Sequence, residues 1–182
     1  MRELTVKKMS FDQLFKQISP AEISDNVFAL SFTVITAGKK DCYNSMIGSG
    51  GGFGLLFKKP ATWSLIRSDR YTLEKIQEEQ SYTLSYFPNE WNEQVLFLGS
   101  ESGRNSEKMK EVQLASVQTP SGNMSYQEAR LIIECKLTEI TTANPEDFYS
   151  QEAKDYISEA YKEASDYRKY VFGEITHVWA KK

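Results

Sequence analysis

The chain of 182 residues is poor in the side chains that most enzymes use for their own chemistry. It has two cysteines, Cys42 and Cys135, and one histidine, His177. Two cysteines far apart, in no Cys-x-x-Cys pattern, make neither a disulfide framework nor a four-ligand zinc site. One histidine excludes His-rich metal sites and leaves no plausible Ser-His-Asp set, so no metal ligands are expected. No stretch approaches the ~20 apolar residues of a membrane helix. The opening Met-Arg-Glu-Leu-Thr-Val-Lys-Lys lacks the apolar core of a secretion signal. The expectation is a cytoplasmic protein, free of membrane, with reduced thiols. The five prolines are scattered, with no linker and no repeat, so residues 1–182 read as one domain. A net charge of −3 gives no reason to expect a nucleic-acid partner.

Aromatic residues make up 13% of the chain, and its apolar periodicity is mostly two. Residues 27–37 are β-branched and aromatic on both sides, as in a strand covered on both faces. Ala61, Trp63 and Leu65 alternate with polar neighbours, as do Tyr82, Leu84 and Tyr86. Val95 and Phe97 fit a short strand. Leu131, Ile133, Cys135 and Leu137 form one face of a segment whose other face carries Glu134 and Lys136. Residues 170–179 complete the set. Many short strands predict a barrel or sandwich.

Two helices interrupt the strands. One is expected to start at Thr72 as N-cap and to carry Leu73 and Ile76. The other is expected from an Asn144 cap and Pro145 through Ala164. Its Tyr149, Tyr156, Ile157 and Tyr161 fall on one face, read as core packing, with a dimer surface as the alternative.

Candidate ligand-binding segments lie in the first half. Residues 1–70 hold ten Lys and Arg against six Asp and Glu, while the remainder is acidic. The run Gly48-Ser-Gly-Gly-Gly-Phe-Gly54 fails both the dinucleotide and the P-loop patterns. It is either a turn or a place where backbone approaches a ligand closely. Asn44 and Ser45 offer polar groups after a strand end, in a loop suited to a phosphate or a polar ring edge, or merely a polar loop. Arg67-Ser68-Asp69-Arg70-Tyr71-Thr72 places two arginines just before a helix start, where anions bind, unless it is a solvated turn with Asp69 pairing one Arg. Ser102-Gly103-Arg104 is a polar turn, and His177 has a structural place in a strand.

In order and spacing these segments resemble the flavin reductase-like, FMN-binding split-barrel family, its flavoredoxin-like branch in particular. The residues that carry the resemblance begin with Thr36-Ala37, Asn44-Ser45-Met46 and Gly51 to Gly54. Lys59-Pro60, Arg67 to Thr72 and Leu84 to Phe87 follow. Gly99 to Arg104 with Lys108, Glu128 to Cys135, and Tyr170 to Ile175 complete it. The resemblance implies a mainly β fold with peripheral α-helices, a split antiparallel β-barrel, usually a homodimer with FMN near the subunit interface. It implies FMN contacts at Ala37, Asn44, Ser45, Met46, Ile47, Arg67, Ser68, Arg70, Tyr71 and Thr72. Ser102, Gly103, Arg104 and Lys108 belong to the same implied set. Family enzymes pass a hydride from NAD(P)H to flavin, and carrier relatives hand electrons to a redox partner protein. Three positions depart from the family pattern. Ile47 replaces a Thr, Gly50 a frequent Trp, and Arg168 a His on the nicotinamide side, where an Arg would recognise an anionic group. The alternatives are a non-catalytic, FMN- or small-ligand-binding dimeric barrel with a drifted site, and an unrelated ligand-binding barrel.

Overall fold

The computed structural model describes residues 9–23, 32–100, 102–163 and 167–182. In chain order the elements are α1 (Phe11–Leu14), β1 (Phe15–Ile18), β2 (Thr33–Lys39), β3 (Cys42–Gly48), β4 (Gly51–Leu56) and β5 (Lys59–Arg67). They continue with α2 (Tyr71–Glu79), β6 (Ser81–Tyr86), α3 (Asn92–Ser100), α4 (Lys108–Glu111), β7 (Ser116–Gln118) and β8 (Met124–Tyr126). The last are β9 (Leu131–Thr142), α5 (Gln151–Ala160) and β10 (Arg168–Lys181). The fold is mostly antiparallel sheet with a few helices.

The main sheet runs β3-β2-β6-β9-β10-β5-β4, and every pairing in it is antiparallel. Its two edge strands, β3 and β4, are consecutive in sequence and separated only by Ser49 and Gly50. One bent stretch of chain therefore pairs with β2 through its first half and with β5 through its second, which closes the barrel. The glycine run makes this bend, because at Gly51 and Gly52 the strand β4 lies too close to β5 for a side chain. A Cβ on Gly51 would sit 2.6 Å from the carbonyl oxygen of Trp63. The long strand β10 holds β5 against residues 168–174 and β1 against residues 178–181, with β9 along its other edge.

Alternation places one apolar cluster on each side of the sheet. Ile35, Leu84, Ile133, Cys135, Val171 and Val178 join Leu73 and Ile76 of α2 in one cluster. Val34, Ile132 and Trp179 join Phe11, Phe15, Val95, Leu98 and Tyr126 in the other. Strand β2 is apolar on both faces at Val34 and Ile35 and β9 at Ile132 and Ile133, whereas β6 alternates and buries the hydroxyls of Thr83 and Ser85 on its second face.

Several expectations are corrected. Residues 27–31 lie outside the described residues, and the strand is described from Thr33. Cys42 to Ile47 is strand β3, not a loop. Val95 and Phe97 sit in α3, where Val95 and Leu98 turn inward at a helical spacing of three. Helix α2 is preceded by Arg70 as N-cap, and Thr72 is buried inside its first turn. The second predicted helix divides. Pro145–Asp147 is a single 3-10 turn, and α5 starts afresh with Ser150 as its cap, whose Oγ accepts from the Ala153 amide at 3.2 Å. Its tyrosine face is no core: Ile157 is buried, whereas Tyr149 is 97% exposed. Ala164 lies outside the described residues.

The polar face expected at Glu134 is also corrected, since Glu134 is fully buried. Its carboxylate accepts from Trp179 Nε1 at 2.7 Å, Thr119 Oγ1 at 2.9 Å and Asn123 Nδ2 at 2.5 Å. These bonds fasten the β7–β8 hairpin to the main sheet. His177 stands in β10, stacked on Trp179. Among the described residues, no helix is long and apolar enough to cross a membrane, and no cluster of His, Cys, Asp or Glu is arranged to hold a metal ion.

Candidate functional site

A cavity of about 420 Å³ opens where β3, α2, α3 and the start of α4 meet. That lies within the usual ~300–1,000 Å³ of small-ligand sites. Strand β3 supplies Asn44, Met46 and Ile47, and the turn into α2 supplies Asp69, Arg70, Tyr71 and Thr72. Helix α3 contributes Leu96, Leu98, Gly99 and Ser100, and Ser102, Gly103 and Lys108 close the far wall.

Part of the cavity lining is polar and cationic. Arg70 caps α2, and among the described residues it has no ion-pair partner. The first intrahelical bond runs from Leu73 N to Arg70 O at 2.9 Å, which leaves the Tyr71 and Thr72 amides ahead of it. Lys108 is only 2% exposed, and its ammonium donates to Leu98 O at 2.9 Å. Fixed cations and a helix N-terminus together favour an anionic group. Another part is apolar, built from Met46, Ile47, Leu96 and Leu98.

Asn44 sits between these two characters. Its amide nitrogen donates to Thr72 Oγ1 at 2.7 Å, whereas its carbonyl Oδ1 is buried without a hydrogen-bond partner among the described residues. Such a group costs about 1–3 kcal/mol unless a donor reaches it. Gly103 packs directly over it: a Cβ there would fall 1.9 Å from Asn44 Oδ1. Only glycine allows the two walls to come this close.

The structure brings nine of the expected residues to this cavity: Asn44, Met46, Ile47, Arg70, Tyr71, Thr72, Ser102, Gly103 and Lys108. The other five of the implied contacts have their side chains engaged elsewhere. Ala37 is in the apolar core. Ser45 points to the opposite face of β3, where its hydroxyl bonds Thr36 Oγ1 at 2.7 Å and Tyr126 OH at 2.6 Å. Arg67 pairs with Asp69 at 3.2 Å, and Ser68 Oγ donates to the Tyr167 carbonyl. Arg104 pairs with Glu74 and holds its carboxyl below the usual range. Of the three departures, Ile47 lines the wall against Gly99. Gly50 belongs to the strand bend, and Arg168 lies opposite Arg67 across the β5–β10 ladder, its Nη2 donating to Tyr156 OH at 3.4 Å. Asp69, Gly99 and Ser100 also line the cavity and fall within segments singled out from the sequence, whereas Leu96 and Leu98 do not. Reading 95–97 as a strand hid the α3 residues, although Val95 and Leu98 already had helical spacing.

No family model matches the chain, and no curated protein matches it. Solved structures do. An FMN-binding protein from Thermus thermophilus superposes with a TM-score of 0.62 at 18% identity, over 82% of this chain and 70% of that one. A flavoredoxin from Methanosarcina acetivorans gives 0.63 at 18% identity, over 92% and 76%. An FMN-binding domain of a flavin reductase-like enzyme from Shewanella baltica gives 0.64 at 13% identity, over 91% and 76%. The fold is thus the split barrel of the flavin reductase-like, FMN-binding proteins and flavoredoxins.

Proposed function

We propose that this chain is an FMN-binding oxidoreductase of the flavin reductase or flavoredoxin kind. The observation that carries the reading is the cavity's mixed lining. Arg70, the α2 amides and Lys108 bring charge and donors, and Met46, Ile47, Leu96 and Leu98 bring apolar surface. An amphipathic ligand with a phosphate and a flat ring matches that lining, and FMN is such a ligand. The Thermus neighbour, which shares the fold, is an FMN-binding protein.

FMN, when bound, supplies hydride and electron transfer, which is why a chain with one histidine suffices. The residues have supporting work. Arg70 and the first-turn amides hold the phosphate, with Lys108 adding charge. Met46, Ile47, Leu96 and Leu98 exclude water from the ring. The Asn44 carbonyl accepts a proton-bearing group, a ribityl hydroxyl or a ring N–H, rather than touching the phosphate. The donor to the flavin is NAD(P)H for a reductase, or a redox partner protein for a carrier.

The same reading includes a homodimer. What supports it is the outer face of β5 and β10, where Trp63 stands opposite Phe172 and Leu65 opposite Tyr170, all half-buried. Sedimentation at micromolar concentration tests this, with Phe172→Asp expected to give monomer. A wild-type monomer would overturn the dimer.

The decisive test of the cofactor is titration with FMN and riboflavin. Arg70→Ala should raise the Kd for FMN by roughly ten- to a hundredfold and leave riboflavin within about twofold. An equal effect on both, or none, removes the phosphate assignment. Bleaching of bound FMN by NAD(P)H identifies a reductase, and binding without bleaching a carrier.

A further inference from the structure

One exposed ion pair outside the cavity ties its two walls together. Arg104 donates through Nη1 to Glu74 Oε2 at 3.0 Å and through Nη2 to Glu74 Oε1 at 2.5 Å. Its guanidinium also lies 5.2 Å from the centre of the Tyr71 ring. Glu74 and Tyr71 belong to α2, whereas Arg104 belongs to residues 102–107, which lead into α4. This segment has its own turn, in which the Arg104 amide donates to Ser102 Oγ at 3.3 Å and Ser106 Oγ to Ser102 O at 3.1 Å. It ends at the buried Lys108, anchored on Leu98 O. One anchor is thus buried and firm, and the other is exposed.

Two opposing contributions act on the exposed side. The two-pronged Glu74–Arg104 contact and the Tyr71 ring hold the segment against α2, but solvent-exposed pairs stabilise little. Against them, Gly103 covers the Asn44 carbonyl, which has no hydrogen-bond partner among the described residues. Covering a polar group without a partner is unfavourable. Closure over an empty cavity is therefore poorly favoured, and a ligand whose donor takes the place of Gly103 against Asn44 Oδ1 removes the penalty as the segment closes over it.

We infer that residues 102–107 form a strap, latched by Glu74 and Arg104, that closes over a hydrogen-bond-donating ligand and sets its rate of release. This rests on reading the cavity as an FMN site. Glu74 and Arg104 are positioning residues, since neither lines the cavity. The latch acts on dissociation, because it forms across a ligand already in place.

The test measures FMN dissociation by stopped-flow fluorescence for wild type, Glu74→Gln, Arg104→Gln, the double variant and the charge exchange Glu74→Arg with Arg104→Glu. Each single variant should release FMN about threefold faster or more, with the association rate unchanged, and the double variant no faster than either. The charge exchange should restore slow release. Raising salt from about 0.05 M to 1 M should speed release more from wild type than from the single variants, in which only the phosphate contacts remain to be screened. Hydrogen exchange of the 102–107 amides in ligand-free protein should be faster in Glu74→Gln. Unchanged release in a protein that binds FMN overturns the strap. If neither wild type nor variant binds FMN, the cofactor reading fails, and hydrogen exchange decides the latch. Unchanged protection then overturns it, and faster exchange upholds it.

Discussion

Asn44 of β3 donates its side-chain amide to the Thr72 hydroxyl of α2 across 2.7 Å, and that bond fixes which end of the carboxamide faces Gly103. The polar corner of the cavity depends on this orientation. Thr72→Val frees the amide to turn, which places a donor where an acceptor stood. FMN affinity should fall by about three- to tenfold, the range of losing one hydrogen bond. Fluorescence titration measures this, and an unchanged Kd would show that the carbonyl contacts nothing on the ligand.

Gly103→Ala tests the close approach of the two walls. The added methyl has no room beside Asn44 Oδ1, so the segment must lift away. FMN should bind at least about tenfold more weakly, because a displaced wall loses several contacts together. The circular dichroism spectrum should remain that of wild type, as the segment carries none of the main sheet.

Glu134→Ala leaves three donors, on Trp179, Thr119 and Asn123, without their acceptor. The expected cost is about 3–5 kcal/mol in urea unfolding, with most of it arising from those unsatisfied groups. Glu134→Gln keeps one carbonyl acceptor and should lose less. Equal losses would mean that the charge, rather than the count of bonds, fastens the β7–β8 hairpin.

Thiol accessibility gives a simple check on the core. Cys42 is exposed, whereas Cys135 is buried and its thiol is pushed up well beyond the ordinary range by burial. A disulfide reagent at pH 8 should titrate one thiol quickly in folded protein and a second only on unfolding.

Burial also raises the Glu128 carboxyl above its ordinary value of 4.5, against the Ala115 amide, which lowers it. The folded state thus favours the protonated form, so this group's contribution to stability is present below the unfolded value. It is lost as pH rises through the raised folded one. Glu128→Gln should make the protein relatively more stable at pH 7 than at pH 4, measured by urea midpoints against wild type.

The barrel was legible because its strands advertise themselves. The alternation in Tyr82, Leu84 and Tyr86 and in Leu131 to Leu137 needs no tertiary information. Most of the cavity's polar corner could also be read, since Arg70 and Thr72 lie at a visible helix start. What could not be read were side-chain directions. Asn44 and Ser45 are neighbours, yet the period of two sends one to the cavity and the other to Tyr126. Two of three nearby arginines are taken by acids: Arg67 by Asp69, a pairing the sequence does offer, and Arg104 by Glu74, thirty residues away, which it does not. Glu134 looked like a solvent-facing charge because its three donors are distant in sequence.

The bend at Ser49 and Gly50 has a consequence for how the chain finds its alignment. A strand that slips by one residue turns all its side chains to the wrong face. Here β3 cannot slip along β2 without dragging β4 along β5, so each seam proofreads the other. A chain reopened between Ser49 and Gly50, with residues 1 and 182 joined through a linker, would keep every strand and lose that mutual correction.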